Sequence, residues 1–272
     1  YKGVVPASLG TDALGGAVNI ITKAEKTNFL DASYSIGSFH THRADLNAQF
    51  VERHTGLIVR PTVGVNYSKN DYRMKDVEMR DETGDRFITG NPKRFHDGYF
   101  SLLTQIEAGI VNKSWADEFF VSASYSKTDK ELQTGSVQTK VYGMAERNSD
   151  AWNVSARYGK YNFLTEGMTL KATLSHTWDH SITVDTAYRK YYWDGGYIVS
   201  QRNEIRGGEP SMRHYKRPLT IARANLDYRL DGHHSFNLNY HLSRTGNDRY
   251  DDLDQSFVPS NDAVTKHIIG LT

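Results

Sequence analysis

The sequence predicts an all-β protein, a segment of a transmembrane antiparallel β-barrel, and three observations carry that expectation. From about residue 27 onward apolar and polar residues alternate with period two, the mark of strands that show different environments to their two faces. The alternating segments run about 10–15 residues. Strands of globular proteins cluster near ~5–6, whereas a tilted membrane-crossing strand needs ~9–11. The connections between them alternate short and long, as in barrels with tight turns at one rim and long loops at the other.

Each element follows from that pattern. Segment 27–38 sets Leu30, Ala32, Tyr34 and Ile36 against Ser33, Ser35 and Gly37, and 42–52 sets Ala44, Leu46, Ala48 and Phe50 against Asp45, Asn47 and Gln49. Segment 57–69 carries Val59, Pro61, Val63, Val65 and Tyr67 on one face. Pro61 removes a ladder donor in mid-strand, so a bulge is expected there. The same alternation runs through 96–110, 118–129, 148–160 and 167–180. It continues through 216–231 and 234–247 and into a tenth strand that begins near Ala263. His176 falls on the nominal apolar face of 167–180, and the facing of the tenth strand is ambiguous because Val264 and Ile268 compete with Ile269 and Leu271.

Short connections fall at 52–56, 111–117, 161–166 and 231–233, and long ones at 70–95, 130–147, 181–215 and 248–262. The turn at Phe39 to Thr41 is the one short connection on the long-loop side.

Composition agrees without being sufficient. Mean hydropathy is -0.62, and no stretch approaches the ~18 apolar residues of a membrane helix. Barrel strands show lipid only every second side chain, so low hydropathy is expected of them. The 17 Tyr, 11 Phe and 4 Trp against 6 Pro suit an apolar surface that meets water. A formal net charge of +1 gives no general push toward nucleic acid. With no Cys there is no disulfide framework and no thiolate metal site.

The first residues read Tyr1-Lys2-Gly3-Val4-Val5-Pro6-Ala7-Ser8-Leu9-Gly10-Thr11-Asp12-Ala13-Leu14-Gly15-Gly16-Ala17-Val18-Asn19-Ile20-Ile21-Thr22-Lys23. Gly15 and Gly16 permit backbone conformations and close approaches that a Cβ would block. The string resembles the end of the plug domain of TonB-dependent outer-membrane receptors, with the match on Gly10, Ala13, Gly15, Gly16, Asn19, Ile20, Thr22 and Lys23. Lys2-Gly3 stands where that family often has Arg-Gly.

The resemblance implies residues 1–24 as the C-terminal end of a plug and 25–272 as the N-terminal part of an incomplete barrel of 22 strands. It also implies energised uptake of a scarce nutrient such as a ferric siderophore. The implied partners are the TonB protein, outer-membrane lipid and a small-molecule ligand such as an iron chelate, and the implied place is the Gram-negative outer membrane. The spelling is similar to members from Bacteroidetes and closer to the siderophore-type branch than to the polysaccharide importers. A passive outer-membrane porin or other β-barrel channel would explain the strands and leave residues 1–23 unexplained.

Loop 181–215 carries the candidate ligand contacts Arg189, Lys190, Tyr191, Tyr192 and Trp193. Rings interleaved with cations stack on planar ligands and attract anions. An aromatic girdle or an extended hairpin would use the same residues. Loop 70–95, with charges of both signs, reads as solvated surface, as does the acidic run from Asp248 to Asp254, which lacks the spacing of a calcium loop. Among the 11 His, neither His40 with His42 nor His233 with His234 has the spacing of a closed metal site. No nucleophile elbow or phosphate loop is present, so neither enzymatic activity nor a cofactor is expected.

Overall fold

A computed structural model describes residues 27–81 and 86–272, and every regular element among them is a strand. In chain order these are β1 (Phe29–Gly37), β2 (Thr41–Glu52), β3 (Leu57–Ser68), β4 (Val77–Arg80), β5 (Phe87–Gly90), β6 (Tyr99–Val111), β7 (Glu118–Glu131) and β8 (Glu146–Tyr161). There follow β9 (Met168–Asp185), β10 (Arg189–Tyr191), β11 (Tyr197–Val199), β12 (Ser211–Lys216), β13 (Leu219–Arg229), β14 (Ser235–Asp251) and β15 (Ser260–Leu271). Eleven of them form one antiparallel sheet, with β1 and β15 at its edges, and β4–β5 and β10–β11 form separate two-stranded hairpins. The plug string of residues 1–23 lies outside the described residues.

The expected ten crossings are all present. β12 and β13 are one crossing, because both pair with β9 and with β14 in an unbroken register. The gap between them falls at Pro218, which has no N–H to give to the ladder. Gly246 lies opposite, its N–H donating to the Pro218 carbonyl at 2.9 Å, and a Cβ there would stand 2.9 Å from the proline ring. Pro61 acts in the same way. Pairing of β2 with β3 lapses at Ala48 and Gln49 and resumes in the same register, while β3 and β6 pair without a break. The expected bulge is therefore absent, because losing one donor does not require an extra residue.

The register sorts the side chains as the alternation requires. One row across the sheet reads Phe50, Val59, Ala108, Val121, Ala156, Leu174, Ala222 and Leu242. The facing of β15 is settled by Ile269, which sits opposite Tyr240 on this apolar face. Tyr125, Trp152 and Trp178 form a row nearer the long-loop end, with the Tyr125 and Trp152 rings 4.8 Å apart. His176 belongs to this face too, its Nδ1 2.8 Å from Thr220 Oγ1 and its ring edge-on to Trp178.

The opposite face is polar. Arg60 meets Glu107 at 2.6 Å, Ser122 meets Ser155 at 2.7 Å, and Asn225, Asn237 and Asn239 hydrogen-bond across β13 and β14. At the short-turn end this face holds a small apolar cluster of Ile58, Val111 and Phe120, with Val51 packed against it. The guanidiniums of Arg60 and Arg157 lie 4.9 and 4.8 Å from the Phe120 ring centre.

A single-layer sheet has little interior, so most of its apolar face stays uncovered: Leu30, Ile36 and Ile269 are each at least 70% exposed. An uncovered apolar surface this wide requires an apolar partner. The wall is thus part of a β-barrel, with the apolar side chains on one side and a wet, charged side opposite.

Candidate functional site

Three of the long connections fold onto one another and form a cap. The connection between β3 and β6 supplies Tyr72, Met74, Val77 and Met79, the one between β7 and β8 supplies Val141, and the one between β9 and β12 supplies Tyr191 and Trp193. These side chains make a hydrophobic core of their own, in which Tyr191 is 9% and Trp193 5% exposed. The expectation that 70–95 is solvated surface is therefore corrected. Its Met and Val residues sit at spacings that a charge-rich reading passes over.

Backbone and side-chain hydrogen bonds tie the three segments together. Gln133 Oε1 accepts the N–H groups of Phe95 and His96, both at 2.7 Å, and Gln133 Nε2 donates to the Tyr142 carbonyl at 3.0 Å. Trp193 Nε1 donates to the Gln138 carbonyl at 3.0 Å. The Tyr191 ring rests on Gly143, where a Cβ would come within 2.5 Å of it, so only glycine fits. Gly195, at φ +87°, turns the β10–β11 hairpin in the left-handed region.

Two buried carboxylates organise the segment after β11. Asp185, 1% exposed, accepts the N–H groups of Glu204, Ile205 and Arg206 at 2.8–3.1 Å. Glu204 accepts those of Gly143 and Met144 at 2.8 and 3.1 Å. Burial pushes the Glu204 carboxyl up from its usual range and the nearby Asp185 adds to this, while the two backbone donors and His96 act the other way.

Between these segments lies a cavity of about 280 Å³, lined among others by Arg80, Lys140, Arg202 and Glu204. All five sequence-derived candidates, Arg189, Lys190, Tyr191, Tyr192 and Trp193, line it as well. Arg189 lies over the Tyr197 ring at 4.2 Å and donates to the Tyr191 hydroxyl at 3.2 Å. Tyr191 and Trp193 are walls fixed by the cap core rather than free contacts. Arg80 and Lys140 come from other segments of the chain, and no local motif announces that they meet this loop.

Elsewhere the acidic run from Asp248 to Asp254 departs from its expected solvation. Asp251 accepts from Ser211 Oγ at 2.5 Å and pairs with Arg213 at 3.2 Å, and both charged side chains are buried. Arg213 also lies over Phe257 at 3.8 Å and reaches Asp254 at 3.5 Å. Among the described residues no group of three or more His, Asp or Glu could hold a metal ion.

No protein-family model and no curated protein matches the chain. Among solved structures it is similar to the siderophore receptor PiuA from Acinetobacter baumannii, with 13% identity and a TM-score of 0.59 over 99% of this chain and 43% of that one. It is also similar to the ferric citrate transporter FecA in its unliganded form, with 12% identity and a TM-score of 0.44 over 90% of this chain and 38% of that one. The chain thus spans less than half the length of either protein. At these identities what it shares with PiuA is the fold, an antiparallel β-barrel wall.

Proposed function

We propose that this chain is part of a TonB-dependent outer-membrane receptor for the energised uptake of a scarce nutrient such as a ferric siderophore. The observation that carries the reading is the pairing of a continuous apolar face with a folded loop cap that encloses a cavity. An apolar face ten strands wide suits lipid, because backbone polar groups in hydrocarbon must be paired in a closed sheet. In this reading the long-loop end faces outside and the four turns at the other end face the periplasm. The fold shared with PiuA supports it, as does the plug-like string with Gly10, Ala13, Gly15, Gly16, Asn19, Ile20, Thr22 and Lys23. Residues 1–24 are then the end of the plug and 25–272 the first part of the barrel. The spelling of that string favours a Bacteroidetes-like, siderophore-type member.

The partners follow from the same reading: outer-membrane lipid around the apolar face, the TonB protein acting through the plug, and an iron chelate or similar small ligand at the cap. Uptake of a radiolabelled ferric siderophore by cells that carry the intact protein tests it. Uptake that saturates and stops when the proton gradient is dissipated is the expected result. Steady ion conduction by the purified protein in a planar bilayer, with no such uptake, would establish a passive porin instead.

A further inference from the structure

We infer that the cap cavity binds a compact polyanion bearing carboxylate or phosphate oxyanions. The inference rests on the receptor reading for the origin of such a ligand in the outside medium. Among the described residues five cations line the cavity, Arg80, Lys140, Arg189, Lys190 and Arg202, against one acid, Glu204. The Glu204 carboxylate is engaged by the N–H groups of Gly143 and Met144, so its role is to join two segments of the cap.

What holds the cations decides the matter. Lys140 Nζ donates to the Ile205 carbonyl at 2.8 Å, and Lys190 Nζ stands 5.9 Å over the Tyr192 ring. Arg189 rests on Tyr197 and the Tyr191 hydroxyl, and among the described residues Arg202 is engaged through its backbone N–H alone, to Ser200 Oγ at 3.0 Å. Among the described residues none of these four pairs with a carboxylate. Elsewhere in the cap the opposite holds: Arg94 and Lys130 share Asp97, and Lys69 and Lys93 share Asp71.

Neutral partners position a cation without cancelling its charge. Lys140, Lys190 and Arg202 are exposed and Arg80 and Arg189 half-buried, so these like charges gather where water screens only part of their mutual repulsion. Such a local cost is the kind of inconsistency that functional sites retain. A ligand with two or more negative charges relieves it, whereas a neutral sugar or a cation does not. The volume, near the lower end of the roughly 300–1,000 Å³ usual for small-molecule sites, limits the enclosed part of the ligand to a compact group. The aromatic residues Tyr192 and Trp193 also line the cavity.

The test is calorimetry on the intact protein in detergent with three probes: pyrophosphate, tricarballylate and neutral raffinose. The expected result is binding of at least one polyanion, weakened by added salt, and no binding of raffinose. Comparing the pyrophosphate and tricarballylate arms tells which oxyanion the site prefers. Lys190→Gln and Arg202→Gln should each weaken binding roughly tenfold, the scale of one hydrogen bond to a charged group. Neither side chain belongs to the cap core, so circular dichroism and the protease-cleavage pattern should not change. Absence of polyanion binding, or binding unchanged in the double variant with an intact cap, would overturn the inference. If polyanion binding fails while energised uptake of another nutrient persists, the receptor reading survives alone. Polyanion binding without any uptake removes the receptor reading and leaves the site.

Discussion

Phe120 shows how a single residue organises the polar face. Its neighbours in sequence, Phe119 and Val121, face the apolar side, so alternation alone assigns Phe120 to the wet side, where an aromatic ring is out of place. The structure supplies the reason: Gly109 opposite leaves room, a Cβ there falling 2.4 Å from the ring, and Arg60 and Arg157 cover what remains. Glu107 then pairs with both guanidiniums, at 2.6 and 3.7 Å. Phe120→Ala should therefore cost about 3–5 kcal/mol, the range for truncating a buried aromatic, measured by urea unfolding in detergent. A cost below ~1 kcal/mol would mean that the arginines hold this patch without the ring. Glu204 gives a prediction of different sign. Its carboxyl is raised in the folded cap, chiefly by burial, so the folded state binds the proton more tightly than the unfolded one. Cap stability should be greatest on the acid side and fall as pH rises from the ordinary carboxylate range through the raised value, then level off. Urea exposure of Trp193, followed by fluorescence with Trp115, Trp152 and Trp178 replaced by Phe, reads this directly. Glu204→Gln should flatten that dependence, and an unchanged slope in the variant would assign it to another group.

At the scale of elements, what was legible in the sequence follows from what each element answers to. A strand that separates two solvents writes its facing into every second residue, so all ten crossings were readable, and β15 alone needed its partner to fix its face. Their upper ends were not readable. β9 runs to Asp185 and β14 to Asp251, beyond the apolar run, because above the Trp152 and Trp178 row both faces meet polar surroundings and alternation loses its meaning. The cap was legible only in part. Arg189 to Trp193 stood out as a cluster of rings and cations, but the roles of Tyr191 and Trp193 depend on Met74, Val77 and Val141, which arrive from two other connections. No period links them. A consequence follows for experiments on this loop: Tyr191→Ala and Trp193→Ala should act first on the fold of the cap. Each should destabilise it by about 3–5 kcal/mol. Proteolysis should then cut the segments before β6, before β8 and before β12 together while the ten crossings stay protected. Cleavage confined to the segment before β12 would show that the three segments do not fold as one unit.

At the scale of the whole molecule, the surroundings are decided by which face of the sheet is dry. The exposed apolar face is a liability in water and an asset in hydrocarbon, while the polar face, with its Ser, Asn and Arg–Glu contacts, tolerates charge. Leu174 and Ser175 are neighbours on β9 that point to opposite faces, each in the middle of the sheet and flanked by paired strands on both sides. A charge placed at either position perturbs the same ladder and differs only in the medium it meets. Leu174→Arg should cost about 2–4 kcal/mol of folding stability in a lipid bilayer, the range for a cation at the midplane of a barrel's lipid face. Ser175→Arg, directed into the wet side, should cost much less, and the two should become nearly equal when lipid is exchanged for a short-chain detergent that lets water reach both faces. Equal costs in the bilayer would mean that the apolar face is covered by protein rather than by lipid. The partner of this wall would then have to be sought in another polypeptide, and the membrane reading of the ten strands would fall with it.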